Sequence, residues 1–226
     1  MRIDPLTPEE LEDERRYEQD RYSKLYRCEL RTRPEKKWYG IRNHGKEAWP
    51  LIEKLGLPKS IADIGCGNGF FPRQCVASGI KDVFGIDFGS IEWSGNHWRP
   101  LQWNEGNAKS LPYSTLDQVD WIRASAHELP LLNGRVEMLT AFDVLEHMLP
   151  QELDEVLKEW HRVTQKTWIF SIAYNDSHIV QGKSLHRIVM PKPWWKEKLS
   201  KYGEVEEYTD KYLFIRDIRR KKVALH

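Results

Sequence analysis

The sequence has few cysteines and no excess of charge of either sign. Three of its 226 residues are cysteine, an odd number that is too small for a disulfide framework. Lysine and arginine together number 35, against 34 aspartate and glutamate residues. A duplex-binding protein that is held mainly by phosphate contacts is usually more basic. The composition therefore argues against that class of protein and predicts a reducing, cytoplasmic location.

Long apolar runs are also missing. No segment approaches the length of about 20 apolar residues that spans a bilayer. The first five residues are followed by charges rather than by the apolar stretch of a secretory signal. We therefore predict no membrane partner. The length of the chain suits one α/β domain with a hydrophobic core, and no internal repeat is visible.

The one concentrated patch of positive charge lies near the C-terminus. It contains Arg216, Arg219, Arg220, Lys221 and Lys222. Such a run is more often a solvated tail than a binding site, and we interpret it as a tail. Nucleic acid consequently stays an alternative partner and is not the favoured one.

Helical and strand patterns alternate in the order of an α/β domain. Thr7-Pro8-Glu9-Glu10 is typical of a helix start and predicts a charged helix that runs to about Arg31. Further helices are predicted at 46–55, 70–78 and 151–163. Apolar runs predict strands at 60–64, 82–87, 119–124, 136–142, 167–173, near Val205 and at 212–218.

A glycine-rich loop follows the first predicted strand and reads Asp63-Ile64-Gly65-Cys66-Gly67-Asn68-Gly69. Without Cβ atoms, backbone N–H groups of such a loop can approach a ligand closely. The carboxylate of Asp63 would repel a phosphate, so the loop suits a cationic ligand. Asp87 ends the next strand, 24 residues later, where a carboxylate can accept from both hydroxyls of a ribose.

These residues resemble the class I methyltransferases that use S-adenosylmethionine (SAM). Residues 61–69 are similar to the first motif of that family, and Gly85-Ile86-Asp87 resembles its ribose-binding motif. Ala126-His127-Glu128-Leu129-Pro130 and Phe142-Asp143-Val144-Leu145-Glu146-His147 resemble the segments after the third and fourth strands. The four motifs occur in family order and cover about residues 58–175.

The resemblance implies a Rossmann-like, doubly wound, seven-stranded α/β sheet, with SAM lying across the ends of the strands. Asp63 would hold the methionine end, Gly65 and Gly67 would let the backbone approach it, and Asp87 would bind the ribose. S-adenosylhomocysteine would be the product. The expected cofactor-binding residues are Asp63, Gly65, Cys66, Gly67, Gly69, Asp87, Phe88, Ser125, Ala126, His127 and Phe142.

Two features depart from the family pattern. Ser125 stands where many members have an aspartate that binds the adenine amino group. The segment 88–120 is longer than usual and predicts an inserted loop at the rim of the active site. Its tryptophans (Trp93, Trp98 and Trp103) either stack on a planar acceptor or pack the insert onto the domain. We expect 1–57 to be a helical extension that packs on or caps a domain at 58–226.

Methyl transfer to a hydroxyl usually needs a general base as well as alignment of the acceptor. His147 follows the fourth strand and titrates near neutrality, although it could equally cap or pack beside the next helix. His178, His186 and Tyr174 lie in the long loop 174–195, which we predict to cover the acceptor. The spacing of His178, His186 and Asp176 is not that of a metal site, so no metal is predicted.

The favoured function is O-methylation of a small molecule or a saccharide. The first alternative, a nucleic-acid or nucleotide methyltransferase, lacks the Asn/Asp-Pro-Pro-aromatic pattern of amino-directed base methylation, because residues 142–145 read Phe-Asp-Val-Leu. The second alternative is a SAM-binding scaffold without catalysis, for which Ser125 is the only sign. The oligomeric state is left open.

Overall fold

The computed structural model describes residues 6–26, 45–67, 69–89, 113–115 and 117–218. Within these ranges the helices are α1 (Pro8–Tyr26), α2 (Gly45–Leu55), α3 (Phe70–Ala77), α4 (Leu153–Val163) and α5 (Lys192–Ser200). The strands are β1 (Ser60–Ile64), β2 (Asp82–Asp87), β3 (Asp120–Arg123), β4 (Val136–Phe142), β5 (Thr164–Ser171), β6 (Ile179–Val180), β7 (Lys183–Ser184), β8 (Glu204–Glu207) and β9 (Tyr212–Arg216).

Seven strands form one sheet in the order β3-β2-β1-β4-β5-β9-β8. The first five are parallel, and β9 pairs antiparallel with both β5 and β8. The order of the strands reverses between β1 and β4, which is where ligands bind in open α/β sheets. The doubly wound, seven-stranded fold expected from the sequence is confirmed.

The boundaries of several elements differ from their predictions, and the fifth strand differs most. The fifth strand begins at Thr164, directly after α4, because the Thr164 hydroxyl closes that helix by donating to the Trp160 carbonyl at 2.7 Å. It ends before Ala173, whose N–H donates to the Glu146 carboxylate instead of to a strand. The helix α1 is described as far as Tyr26, and the last residues of its predicted span lie outside the described ranges.

Most of the predicted insert, including its three tryptophans, lies outside the described residues. Its described end forms a 3₁₀ turn at Tyr113–Thr115. There the Thr115 hydroxyl accepts a hydrogen bond of 3.1 Å from Arg73 on α3. This end of the insert is therefore attached to the body of the domain.

The core lies on both faces of the sheet, because successive side chains of a strand point to opposite sides. Trp168 and Phe170 pack on one face with Trp160 of α4 and Trp195 of α5. Ile169 packs on the other face, in the cluster that includes residues of α2 and α3. Trp160 and Trp168 are fully buried. No helix among the described ranges has the length and apolarity needed to cross a membrane.

Trp160 offers a direct test of this core. Its side chain is fully buried, and its indole N–H donates to the Ala126 carbonyl at 3.0 Å. We expect Trp160→Ala to lower the free energy of unfolding by about 3–5 kcal/mol, since it leaves a cavity and an unpaired carbonyl. Urea denaturation measures the change. Trp49→Ala, at a partly exposed site on α2, is the control, and an equal loss in both variants would contradict this packing.

Candidate active site

The glycine-rich loop after β1 is pinned to the neighbouring strand. The N–H groups of Gly65 and Cys66 both donate to the Ile86 carbonyl, at 2.7 and 3.0 Å. Gly65 has a φ of 67°, in the left-handed region, and a Cβ there would lie 2.6 Å from a methyl carbon of Val144. A side chain at this position is excluded both by strain and by the lack of space. The bare backbone at Gly65 forms part of a cavity wall.

Asp87 ends β2 and organises the same loop. One of its carboxylate oxygens accepts from the Gly67 N–H at 3.0 Å, and the other accepts from the Gly89 N–H at 2.8 Å. The side chain is buried but lines the cavity. Each carboxylate oxygen can accept more than one hydrogen bond, so both can also accept from a ligand.

The cavity lies beyond the C-terminal ends of β1, β2, β3 and β4, at the point where the strand order reverses. Six of the eleven residues predicted to bind the cofactor line it. They are Gly65, Asp87, Phe88, Ser125, Ala126 and His127. Three further residues of the wall come from α1 and were not identified from the sequence. They are Arg15, Glu18 and Tyr22.

The other five predicted cofactor residues do not line this cavity. Asp63 is buried in the sheet, where its carboxylate accepts from the Thr140 hydroxyl at 2.8 Å. Phe142 packs edge-on against Phe71, with a distance of 4.9 Å between ring centroids. The remaining three are Cys66, Gly67 and Gly69, which shape the loop behind the wall.

A series of polar side-chain contacts joins the loop after β3 to α1. The Ser125 hydroxyl and His127 Nδ1 are 2.7 Å apart, and His127 Nδ1 lies 3.7 Å from the Glu152 carboxylate. Arg15 of α1 donates to the same Glu152 oxygen. Sequence reasoning missed Arg15 and Glu152 because neither belongs to a local motif and they are 137 residues apart.

The helix α1 is held against the cavity and against the small β6–β7 hairpin. The Arg21 guanidinium is fully buried and donates to the carbonyls of Val180, Lys183 and Ser184. Glu14 and Glu18 both form ion pairs with Arg187. Helix α1 therefore packs against the β6–β7 hairpin and Arg187, and it supplies part of the cavity wall.

His147 stands at the end of a 3₁₀ turn (Leu145–His147) that follows β4. Its Nδ1 lies 2.7 Å from the Leu185 carbonyl and 2.6 Å from the Tyr22 hydroxyl. Because a carbonyl can only accept, Nδ1 carries the proton and Nε2 carries the lone pair. Burial, followed by the nearby His186, lowers the pKa of His147 to about 4, so the expectation that it titrates near neutrality is wrong and the ring is neutral at physiological pH.

His186 lies beside His147, with their rings edge to face and their centroids 4.8 Å apart. Its Nδ1 is 2.6 Å from the Asn175 carbonyl. Glu146 is fully buried and accepts from the Ala173 N–H at 2.7 Å through Oε1, while its Oε2 has no hydrogen-bond partner. The three side chains each bring one ligand atom within 4.8 Å of the others.

Three of the four predicted catalytic residues do not line the cavity, namely Tyr174, His178 and His186. Burial raises the pKa of Tyr174 to about 12, and its buried hydroxyl has no hydrogen-bond partner. The group of three potential metal ligands found among the described residues contains neither His178 nor Asp176. Asp176 instead accepts from the Ser184 hydroxyl at 2.7 Å.

Two buried carboxyl groups of this region predict how stability depends on pH. Burial raises the pKa of Asp63 and that of Glu146 to about 8. In the unfolded chain both groups titrate near pH 4, as ordinary carboxyls do. Between about pH 7 and pH 8 the folded protein holds protons that the unfolded chain has released. Stability therefore falls as pH rises, by up to about 1.4 kcal/mol per pH unit for each group.

We expect Asp63→Asn to remove about half of this pH dependence. The asparagine carbonyl can still accept from the Thr140 hydroxyl, so the fold is retained. Urea denaturation at pH 7 and at pH 8 gives the slope for each variant. Asp82→Asn, which changes an exposed carboxyl on the neighbouring strand, should keep the wild-type slope. An unchanged slope in Asp63→Asn would contradict the raised pKa.

Comparison with known proteins agrees with this architecture. A family model described as a methyltransferase domain matches residues 62–171. No curated protein sequence matches the chain significantly. The solved 1,6-didemethyltoxoflavin-N1-methyltransferase of Burkholderia thailandensis is 17% identical and superposes with a TM-score of 0.62, over 95% of this chain and 91% of that chain. Magnesium protoporphyrin IX methyltransferase of Synechocystis PCC 6803 is 16% identical, with a TM-score of 0.57 over 95% of this chain and 100% of that chain.

Proposed function

The chain contains a methyltransferase domain of the class I, SAM-dependent kind, and on this premise we propose that it methylates a hydroxyl group of a small molecule or a saccharide. One observation carries the proposal. The neutral His147, with its lone pair on Nε2, forms part of the same cavity wall as Gly65 and Asp87. A hydroxyl acceptor needs such a group near its oxygen, since the hydroxyl proton must leave during transfer.

The residues at the strand ends fit the cofactor. The bare backbone at Gly65 gives a close approach that a Cβ would fill, and both oxygens of Asp87 can accept from ribose hydroxyls. We assign the adenine to the side of Ser125, Ala126 and His127. The sulfonium of SAM supplies an activated methyl group, so the protein chiefly aligns the acceptor and removes its proton. Asp63 does not touch the cofactor in this assignment. It supports the site indirectly, because its hydrogen bond with Thr140 holds β1 and β4 in place.

The position of α1 favours a small acceptor over a polymer. Arg15, Glu18 and Tyr22 close one side of the cavity. Two structural neighbours act on small molecules by name, one on 1,6-didemethyltoxoflavin and the other on magnesium protoporphyrin IX. Of the basic residues near the C-terminus, Arg216 is described, and it forms ion pairs with Glu204 and Glu206. That arrangement gives no support to a phosphate-binding surface.

We keep the predicted organisation as part of the proposal. Residues 1–57 are the capping extension and 58–226 the catalytic domain, with the insert 88–120 at the rim and the loop 174–195 over the acceptor. We also propose a cytoplasmic location, because the buried Cys66 and Cys75 are free thiols.

Calorimetric titration with SAM and with S-adenosylhomocysteine tests the cofactor assignment, with one molecule of either expected per chain. Transfer of a labelled methyl group to a panel of phenols, sugars, nucleotides and nucleic acids then tests the acceptor. Labelled O-methyl products from the phenols or sugars would support the proposal. Methylation of nucleic acid, together with binding that weakens steeply with salt, would replace it by the nucleic-acid alternative.

A further inference from the structure

Glu146, His147 and His186 form a cluster that the sequence did not predict, because α4, β5 and the β6–β7 hairpin lie between the two histidines in the chain. Each residue brings one ligand atom within 4.8 Å of the other two. Two imidazoles and one carboxylate are a ligand set that divalent transition metals favour. Three protein ligands also leave coordination positions open, as catalytic metal sites require.

Both histidines are held in the tautomer that a metal ligand needs. The Nδ1 atoms of His147 and His186 lie 2.7 and 2.6 Å from the backbone carbonyls of Leu185 and Asn175. Each Nδ1 therefore carries a proton, and each Nε2 carries a free lone pair. Histidines that bind metals generally have their second ring nitrogen fixed by such an outer hydrogen bond.

The Glu146 carboxylate gives an independent indication that an ion binds here. Glu146 is fully buried, and the Ala173 N–H occupies only its Oε1. Its Oε2 has no hydrogen-bond partner, although buried polar atoms are nearly always paired. A cation bound beside Oε2 would satisfy this unpaired oxygen.

We propose that Glu146, His147 and His186 bind one divalent transition-metal ion, of the class of Zn²⁺ or Mn²⁺. Metal–ligand bonds of about 2.1 Å would draw the three ligand atoms inward by less than about 1 Å each. His147 belongs to a 3₁₀ turn and His186 to a loop, and neither lies inside a strand or an α-helix. Of the three residues, His147 lines the cavity, so the site borders the position proposed for the acceptor.

The role of the ion rests on the proposed hydroxyl methylation, whereas the binding of the ion does not. The acceptor oxygen would bind the ion, which lowers the pKa of the hydroxyl so that its proton leaves to solvent. The oxygen then forms a bond to the methyl carbon as the carbon–sulfur bond breaks, and neutral S-adenosylhomocysteine remains. With the ion bound, His147 is a ligand, and the ion replaces direct proton transfer to the imidazole.

The test uses the full chain after treatment with a chelator. Titration calorimetry with Zn²⁺ and with Mn²⁺, without SAM, is expected to show one ion per chain for at least one of the two metals. Glu146→Gln and His186→Ala should weaken that binding at least about 100-fold, since each removes a direct ligand, whereas changes in the outer shell alone cost about 10–100-fold. His178→Ala lies in the same loop but outside the cluster, and it should bind as the wild type does.

Circular dichroism of each variant shows whether it folds, and His186→Ala tests the site even if Glu146→Gln does not fold. The absence of stoichiometric binding by the wild type would overturn the proposal. So would unchanged binding in folded His186→Ala.

Methyl transfer with and without chelator separates this inference from the proposed function. Metal binding without any O-methyl product would retain the site and reject the function. O-methylation that is undiminished by chelator, in protein shown by elemental analysis to be free of metal, would reject the role of the ion in the reaction and retain the function.

Discussion

The Asp87→Ala variant is expected to show no measurable binding of SAM. The carboxylate is assigned to the two ribose hydroxyls, and hydrogen bonds to a charged group contribute about 1.5–3 kcal/mol each. The loss of two such bonds corresponds to a fall in affinity of about 100-fold or more. The substitution also frees the N–H groups of Gly67 and Gly89, so the loop loses the partner that shapes it. Titration calorimetry measures the change.

Two variants make this result interpretable. Asp82→Ala removes an exposed carboxylate at the other end of β2, where it pairs with Arg135 at 3.0 Å, and should leave SAM binding unchanged. Asp87→Asn keeps one acceptor oxygen without the charge, and its affinity should lie between those of the wild type and Asp87→Ala. SAM affinity within a factor of about three of the wild type in folded Asp87→Ala would reject the ribose assignment.

The His147→Ala variant should bind SAM as the wild type does and lose turnover. Removal of a positioned acid–base group usually lowers kcat by about 10²–10⁴. The same loss is expected if His147 binds a metal ion, since either role acts on the acceptor oxygen. The cofactor contacts assigned to Gly65 and Asp87 do not involve the imidazole. Single-turnover methyl transfer at saturating SAM measures the effect.

His178→Ala is the matched control for this experiment, because His178 belongs to the loop 174–195 and does not line the cavity. It should keep most of the wild-type turnover. If His147→Ala lost SAM binding to the same extent as Asp87→Ala, the imidazole would be a support for the cofactor site and not part of the acceptor site.

The parts of the fold that could be predicted are those whose signal is local. The strands β1 and β2 are buried on both faces, so each is a short apolar run, and the glycine loop between them is a contiguous motif. The β6–β7 hairpin was not predicted, since each of its strands has two residues. Its carbonyls are held by Arg21, a residue about 160 positions earlier in the chain.

The residues of the candidate site also differ in whether a local sequence signal reveals them. Asp87 and Gly65 could be identified because they belong to motifs that lie on consecutive elements. Tyr22 could not, since its contact with His147 spans 125 residues and α1 has only a weak apolar stripe. Glu146 belongs to a motif that marks the family, and no sequence pattern predicts that it lies beside His186. That pairing depends on how the loop after β5 folds back, and no spacing rule predicts it.

The attachment of α1 has a consequence for the order of events during synthesis. This helix leaves the ribosome before any of its partners, and Arg187, which pairs with Glu18, follows 169 residues later. Because synthesis adds about 5–20 residues per second, the helix stays without this partner for roughly ten to thirty seconds. Its many charged residues keep it from aggregating meanwhile, and its docking through ion pairs and one buried arginine can occur last. The cavity is therefore complete only after the chain has been synthesised as far as Arg187.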